Sequence, residues 1–128
     1  MDPLKQIDVL VERYSELENQ RENIIASYKI MEESYCSGGK LLIAGNGGSA
    51  ADSEHIVGEL MKSFEKPRSL SEKYKEKLKS IDFERGKTLS DKLQGGLAAI
   101  ALDGHIALST AYMNDCEPLL CFAQQVNG

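Results

Sequence analysis

The 128 residues are enough for one compact domain, and a hydrophobic content of 41% is ordinary for a globular protein. A formal net charge of -5 argues against a general nucleic-acid or anionic-membrane binder, because phosphate surfaces select clustered Lys and Arg. No apolar run approaches the roughly 20 residues of a membrane span, and MDPLKQIDVLVERYSEL lacks the basic-then-apolar layout of a signal peptide, so a cytoplasmic protein is expected.

The first third is one long periodic segment. Ile7, Leu10, Tyr14 and Leu17, then Ile24, Tyr28, Met31 and Tyr35, fall at helical steps of three and four. Asp2-Pro3 is a start signal, and Cys36-Ser37-Gly38-Gly39 is a stop signal, because glycine tolerates the left-handed geometry that ends helices. The polar stretch Glu18 to Asn23 interrupts the stripe, which predicts a kink or two successive helices. Such a stripe must be buried, either on the chain's own sheet or against another subunit.

Lys40 to Ala44 (KLLIA) reads as a short buried parallel strand. Ala50 to Lys62 reads as a helix that buries Ile56, Val57, Leu60 and Met61. The hydrophilic stretch 63–94 follows as an insert with short exposed helices, punctuated by Pro67 and Gly86. Its lysines alternate with Glu65, Glu72 and Glu76, so it is a solvated face rather than a nucleic-acid patch. Leu97 to Leu102 (LAAIAL) is a second buried strand, Asp103-Gly104 turns, and Ile106 to Asn114 and Pro118 to Val126 are helical. Strand, helix, strand, helix predicts an α/β fold, a layered domain with a parallel sheet flanked by helices, whose sites form at the carboxyl ends of the strands. Cys36, Cys116 and Cys121 are odd in number and show no CxxC spacing. They suggest neither a disulfide framework nor a zinc ribbon and are expected to be small buried or half-buried hydrophobes.

Between the first strand and its helix lies GNGGS, Gly45 to Ser49. Glycines there let backbone approach a ligand closely, and the helix start favours an anion such as a sugar phosphate. Asn46 and Ser49 add side-chain hydrogen bonds, unless Ser49 is only the helix N-cap. The turn matches neither GxGxxG nor GxxxxGK[ST], so no nucleotide cofactor is expected. On the helix, Asp52, His55, Glu59 and Lys62 stack along one face. This is either a solvated face or a site, since His and Glu at this spacing can share a metal ion or divide acid and base roles. A carboxylate beside a sugar could abstract the proton next to a carbonyl, the key step of aldose–ketose isomerisation.

GNGGSAADSEH with the His55-to-Glu59 spacing resembles the phosphoheptose isomerases of the sugar isomerase (SIS) domain superfamily, which interconvert sedoheptulose 7-phosphate and D-glycero-D-manno-heptose 7-phosphate. The long N-terminal helices, the polar insert, LQGGLAAIAL and AYMND fall in the family's order, so the likeness covers nearly the whole chain. The resemblance implies a SIS-type fold for residues 1–128, with an N-terminal helical segment over 1–37 and the insert over 63–94. It implies substrate contacts at Asn46, Gly47, Gly48, Ser49, Asn114 and Asp115. Glu59 would be the catalytic base and also a metal ligand, and His55 a catalytic group and the other ligand, in members that bind one zinc ion. It also implies a homo-oligomer, a dimer or tetramer. Family members carry a second phosphate loop of the type GISTSGNS and a later helix that supplies a glutamine and a histidine. Neither is present here, so the chain looks like the N-terminal part of such an enzyme, expected to be inactive alone, with the zinc shell completed by residues outside it. A different class also fits: SIS domains serve as non-catalytic modules that bind sugar phosphates or partner proteins, as in a replication-initiation regulator family. Those relatives generally lose the glutamate that Glu59 retains.

Overall fold

In the computed structural model, which describes residues 2–128, Asp2 and Pro3 start the first helix as their chemistry suggests. The Asp2 carboxylate accepts from the Leu4 amide at 3.0 Å, and Pro3, which lacks an N–H, opens α1 (Pro3–Arg13). A short 3-10 turn, Ser15–Gln20, separates α1 from α2 (Arg21–Cys36). The break therefore begins at Tyr14, four residues before the polar stretch that signals it. Gly38, at φ +80°, lies just beyond the end of α2.

The chain divides into two compact units, the first ending at Gly39 and the second Lys40–Gly128. The core of the first is Ile7, Val11 and Ile25, with Leu17, Ile24 and Tyr28 packed against it. Val11 and Ile25 lie outside the expected stripe, whereas Tyr14 and Met31, which belong to it, are exposed. Arg21 ties the two helices together, its Nη2 donating to Asp8 Oδ1 at 2.5 Å. That contact and the hydrogen bond it contains hold the Arg21 guanidinium above its ordinary pKa.

In the second unit β1 (Leu41–Ile43) is followed by α3 (Gly48–Met61), then by a helical hairpin of α4 (Glu72–Ile81) and α5 (Phe83–Lys92), and then by β2 (Ala99–Ala101). The two strands pair in parallel with Leu41, Leu42 and Ile43 opposite Ala99, Ile100 and Ala101. A parallel pair needs a long crossover, and α3 with the hairpin supplies it. A 3-10 turn, Leu102–Gly104, leads into α6 (Ile106–Asp115), and a second, Pro118–Leu120, leads into α7 (Cys121–Asn127). The layered α/β arrangement agrees with the expected fold class.

Burial departs from expectation on one face of the sheet. Alternation places Leu41, Ile43, Ala99 and Ala101 on one side, and these are covered. Leu42 and Ile100, paired on the other side, remain 39% and 40% exposed. The strands are thus buried on one face only. The same holds for α3, where Val57 and Leu60 are half-buried but Ile56 and Met61 are exposed. Of the cysteines only Cys121 is buried, Cys36 and Cys116 being exposed, and none is paired.

Gly86 does not punctuate the insert. It lies buried inside α5, where a Cβ would collide with the Leu78 carbonyl of α4, so its missing side chain is what lets the two helices touch. The ends of the 63–94 excursion meet: the Ser63 amide and hydroxyl both donate to Gln94 Oε1, and the Gly95 amide donates to the Arg68 carbonyl at 2.7 Å.

Candidate functional site

The glycine turn is built by three local requirements. Gly45 sits where any Cβ would strike the Ser49 carbonyl, so only glycine lets the strand end fold against the first turn of α3. Gly47 takes φ +58° and ψ -124°, a conformation other residues rarely adopt. The Ser49 and Ala50 amides then close the turn on the Asn46 and Gly47 carbonyls, at 3.1 and 3.2 Å. Gly47 is the N-cap of α3 and no side chain caps the helix, so Ser49 lies inside it and is not the cap. Gly48 faces open space.

His55 and Glu59 project from α3 one turn apart, His55 Nε2 lying 4.0 Å from Glu59 Oε1. The imidazole is 79% exposed and the carboxylate 37%. Asp52 is exposed on the same helix, while Lys62 leaves the expected face because the backbone becomes extended there. Two ligands at this separation fit half of a zinc shell, which takes about four. Among the described residues no group of three His, Cys, Asp or Glu comes together to hold a metal. Asn114 and Asp115 end α6, exposed and bonded to each other, Asn114 Nδ2 donating to Asp115 Oδ1 at 2.7 Å.

The carboxyl ends of β1 and β2 open on a cavity of about 390 Å³, within the usual range for small-molecule sites. Gly45, Asn46 and Gly47 form one wall, and α6 contributes Ile106, Thr110 and Met113. Of the residues singled out from the sequence, Asn46 and Gly47 line this cavity; Gly48, Ser49, His55, Glu59, Asn114 and Asp115 do not. The structure adds a residue that sequence reasoning gave no role, Asp103, whose two carboxylate oxygens are buried with no hydrogen-bond donor among the described residues. Its place just after β2, beside the end of the neighbouring parallel strand, is the signal that marks such positions. His105 is exposed and lines a different cavity. The first unit carries a groove of about 490 Å³ lined by Ile7, Ile24 and Tyr28 among others, with no carboxylate, histidine or cysteine in its walls.

Residues 5–94 match the SIS domain family, more than half of the chain. The chain belongs to the SIS-domain family. Its SIS match contains the glycine turn, His55 and Glu59, whereas Asp103, Asn114 and Asp115 lie beyond the matched residues. The chain is 34% identical over 112 residues to the phosphoheptose isomerase of Roseiflexus sp. (strain RS-1), covering 88% of this chain and 44% of that protein. It is 35% identical over 111 residues to the phosphoheptose isomerase of Thermodesulfovibrio yellowstonii, covering 84% and 42%. With the phosphoheptose isomerase of Crocosphaera subtropica it shares 36% over 99 residues, covering 77% and 37%. The SIS chain thus spans less than half the length of these relatives. No helix among the described residues is long and apolar enough to cross a membrane.

Proposed function

We propose that this SIS domain is part of a sugar-phosphate isomerase that interconverts sedoheptulose 7-phosphate and D-glycero-D-manno-heptose 7-phosphate. The observation that carries the reading is the placement of Glu59, with His55 one turn before it, on the helix that starts at the glycine turn. The likeness to proteins named phosphoheptose isomerase supports the substrate class. In this reading the phosphosugar lies across the GNGGS turn, where Asn46, Gly47, Gly48 and Ser49 contact it, with Asn114 and Asp115 as further contacts. Glu59 removes the proton from the hydroxyl-bearing carbon next to the carbonyl, the C–H electron pair becomes the double bond of an enediolate whose charge rests on the former carbonyl oxygen, a proton passes to that oxygen from the neighbouring hydroxyl, and the proton held by Glu59 is returned to the former carbonyl carbon. His55 orients the oxygen on which charge develops. His55 and Glu59 would also hold a zinc ion, which when bound supplies a positive charge for a developing oxyanion. The enzyme works as a homo-oligomer in this reading.

The test is exchange rather than full turnover, because exchange reports the removal of the proton next to the carbonyl, the step assigned to Glu59. Sedoheptulose 7-phosphate in heavy water, with and without zinc, should take up deuterium next to its carbonyl faster with the protein than in buffer. Glu59→Gln should abolish the excess while leaving binding intact. Exchange as fast with Glu59→Gln as with the unsubstituted protein would overturn the reading.

One observation favours a second reading, a non-catalytic SIS module that binds a phosphosugar or, like a replication regulator, a partner protein. His55 is exposed and Glu59 half-buried, and both lie outside the cavity at the strand ends. Tight binding of the phosphosugar without exchange would decide for it.

A further inference from the structure

We propose that the α4–α5 hairpin carries a docking face for a second copy of this chain, and that this face takes the acidic, partly apolar surface of that copy's first unit. The inference does not depend on the phosphosugar reading above.

Charges that alternate along residues 72–92 separate in space once the two helices form. The helices run antiparallel, with Gly86 and Ser90 of α5 against the backbone of Leu78 and Lys75 of α4, and the Ser90 hydroxyl reaches the Lys75 carbonyl. That contact sets the direction of the other positions, since residues three, four and seven apart share a helix face. Tyr74, Leu78 and Ile81 of α4 then fall on the same side of the hairpin as Leu89 of α5 and Leu93 at its C-cap, with Lys77 and Arg85 at the edges. Glu72, Glu76, Glu84 and Asp91 fall on the opposite side, where Glu72 accepts from Lys75 Nζ at 2.7 Å. One side is therefore apolar and basic and carries none of the helices' acids.

That side is open. α4 and α5 pack chiefly on each other. Tyr74, Leu89 and Leu93 are exposed, and Ile81 is 76% exposed. Large apolar side chains grouped together and edged by cations are the composition of an association surface, whereas a solvated face scatters them singly.

Charge then chooses the partner. Residues 72–92 hold seven Lys and Arg against five Asp and Glu, and the first unit is opposite in sign, residues 2–39 holding eight Asp and Glu against four Lys and Arg. One of those four, Arg21, is engaged by Asp8 and Glu22. Val9 and Tyr14 stand exposed on the segment that carries the exposed Glu12, Glu16 and Glu18. An apolar basic face thus meets an apolar acidic one, an arrangement that steers encounter and disfavours two hairpin faces together. A bilayer gains about 1 kcal/mol from each such cation. Two at the edges are too few to anchor a chain of net charge -5.

Sedimentation equilibrium of the 128-residue chain at low and high salt tests this. The expected result is self-association that falls with salt and weakens about tenfold or more in each of three variants: Lys77→Glu with Arg85→Glu, Glu12→Lys with Glu16→Lys, and Ile81→Ser. Mixed in equal amounts, the two charge-reversed chains should associate about as tightly as the parent, because each keeps the face that the other has lost. That recovery also shows that both variants are folded. Failure of the mixture to recover would mark the substituted residues as structural and overturn the proposal. A monomer at every concentration, or unchanged association in the hairpin variants, would overturn it too. Weakening by the hairpin substitutions alone would place hairpin against hairpin and overturn the assignment to the first unit. Co-sedimentation with vesicles of phosphatidylserine and phosphatidylcholine is the last arm. Vesicle binding that Lys77→Glu with Arg85→Glu abolishes, with self-association unchanged, would give the face to a membrane and overturn the proposal.

Discussion

Arg68 closes the end of α3: its Nη2 donates to the Leu60 carbonyl at 2.6 Å, and the same group reaches the Glu59 carbonyl at 3.3 Å. Its Nε donates to the Gly95 carbonyl at 2.8 Å, while the Leu97 amide returns to Leu60. One guanidinium thus satisfies the open carbonyls of a helix end and joins them to the segment that leads into β2, at the end where the helix dipole favours a cation. The residue that holds the backbone of Glu59 therefore lies in the polar insert. Arg68→Leu should destabilise the second unit by about 2–4 kcal/mol in urea unfolding, because several charge-assisted bonds are lost and the part-buried Gly95 carbonyl loses its side-chain donor. Arg68→Lys should recover little of this, since an ammonium lacks the fork that reaches three carbonyls. A lysine variant as stable as the parent would show that charge alone matters here.

Two helical glycines should respond with opposite sign. Gly86 of α5 is buried, and its Cβ position collides with the Leu78 backbone, so Gly86→Ala should cost about 1–3 kcal/mol or push the hairpin helices apart. Gly58 of α3 has nothing within 4 Å of its Cβ position, and Gly58→Ala should stabilise by about 0.5–1 kcal/mol through the unfolded chain and helix propensity. Paired urea melts measure both. Equal effects would mean that the α4–α5 contact is looser than its geometry shows.

The two central glycines of the turn separate folding from binding. Gly47→Ala forces a side chain into φ +58° and should cost about 1–3 kcal/mol of stability. Gly48 has an ordinary φ and open space around its Cβ position, so Gly48→Val should fold normally and lose phosphosugar binding, because its side chain fills the space offered to the ligand. Unfolding curves set beside a binding titration of both variants distinguish the two roles. A Gly48→Val variant that bound normally would remove the turn from the site.

Helix starts, glycine stops and the parallel strand pair were legible because local chemistry decides them: Asp2 and Pro3 cap, Gly38 ends, and the apolar runs around Leu42 and Ile100 pair. What those runs face was not legible. Apolar composition alone suggests burial on both sides, yet only the Leu41 and Ile43 side is covered. The N-terminal stripe misplaced its core for a related reason: in α1 the inward face steps by four from Ile7 to Val11 rather than by three to Leu10, and the 3-10 turn after Tyr14 resets the helical phase so that Ile25 turns inward. At the site, the glycine turn was readable from its spacing, and the SIS match contains it. The place of Asp103 at the cavity was not readable from its turn, because it depends on β2 ending beside β1, a contact between residues nearly sixty positions apart in the chain.

In the first unit the Tyr28 hydroxyl donates to Glu32 Oε1 at 2.5 Å across one turn of α2. That bond, then partial burial, then the nearby carboxylate charge hold the Tyr28 phenol above its ordinary pKa. The neutral phenol is the form the fold favours, so the stability this pair contributes is fully present below the unfolded tyrosine value of about 10 and is lost as pH rises through the higher folded value. The phenolate absorbance of the native protein should therefore contain one late component. Glu32→Gln should move that component to lower pH, and Tyr28→Phe should remove it. The Tm difference between the parent and Tyr28→Phe should shrink as pH is raised from about 9 toward 12. The group is well hydrated, so the effect on Tm should be small beside that of Arg68. A titration identical in the parent and in Glu32→Gln would place the tyrosine hydroxyl in water instead.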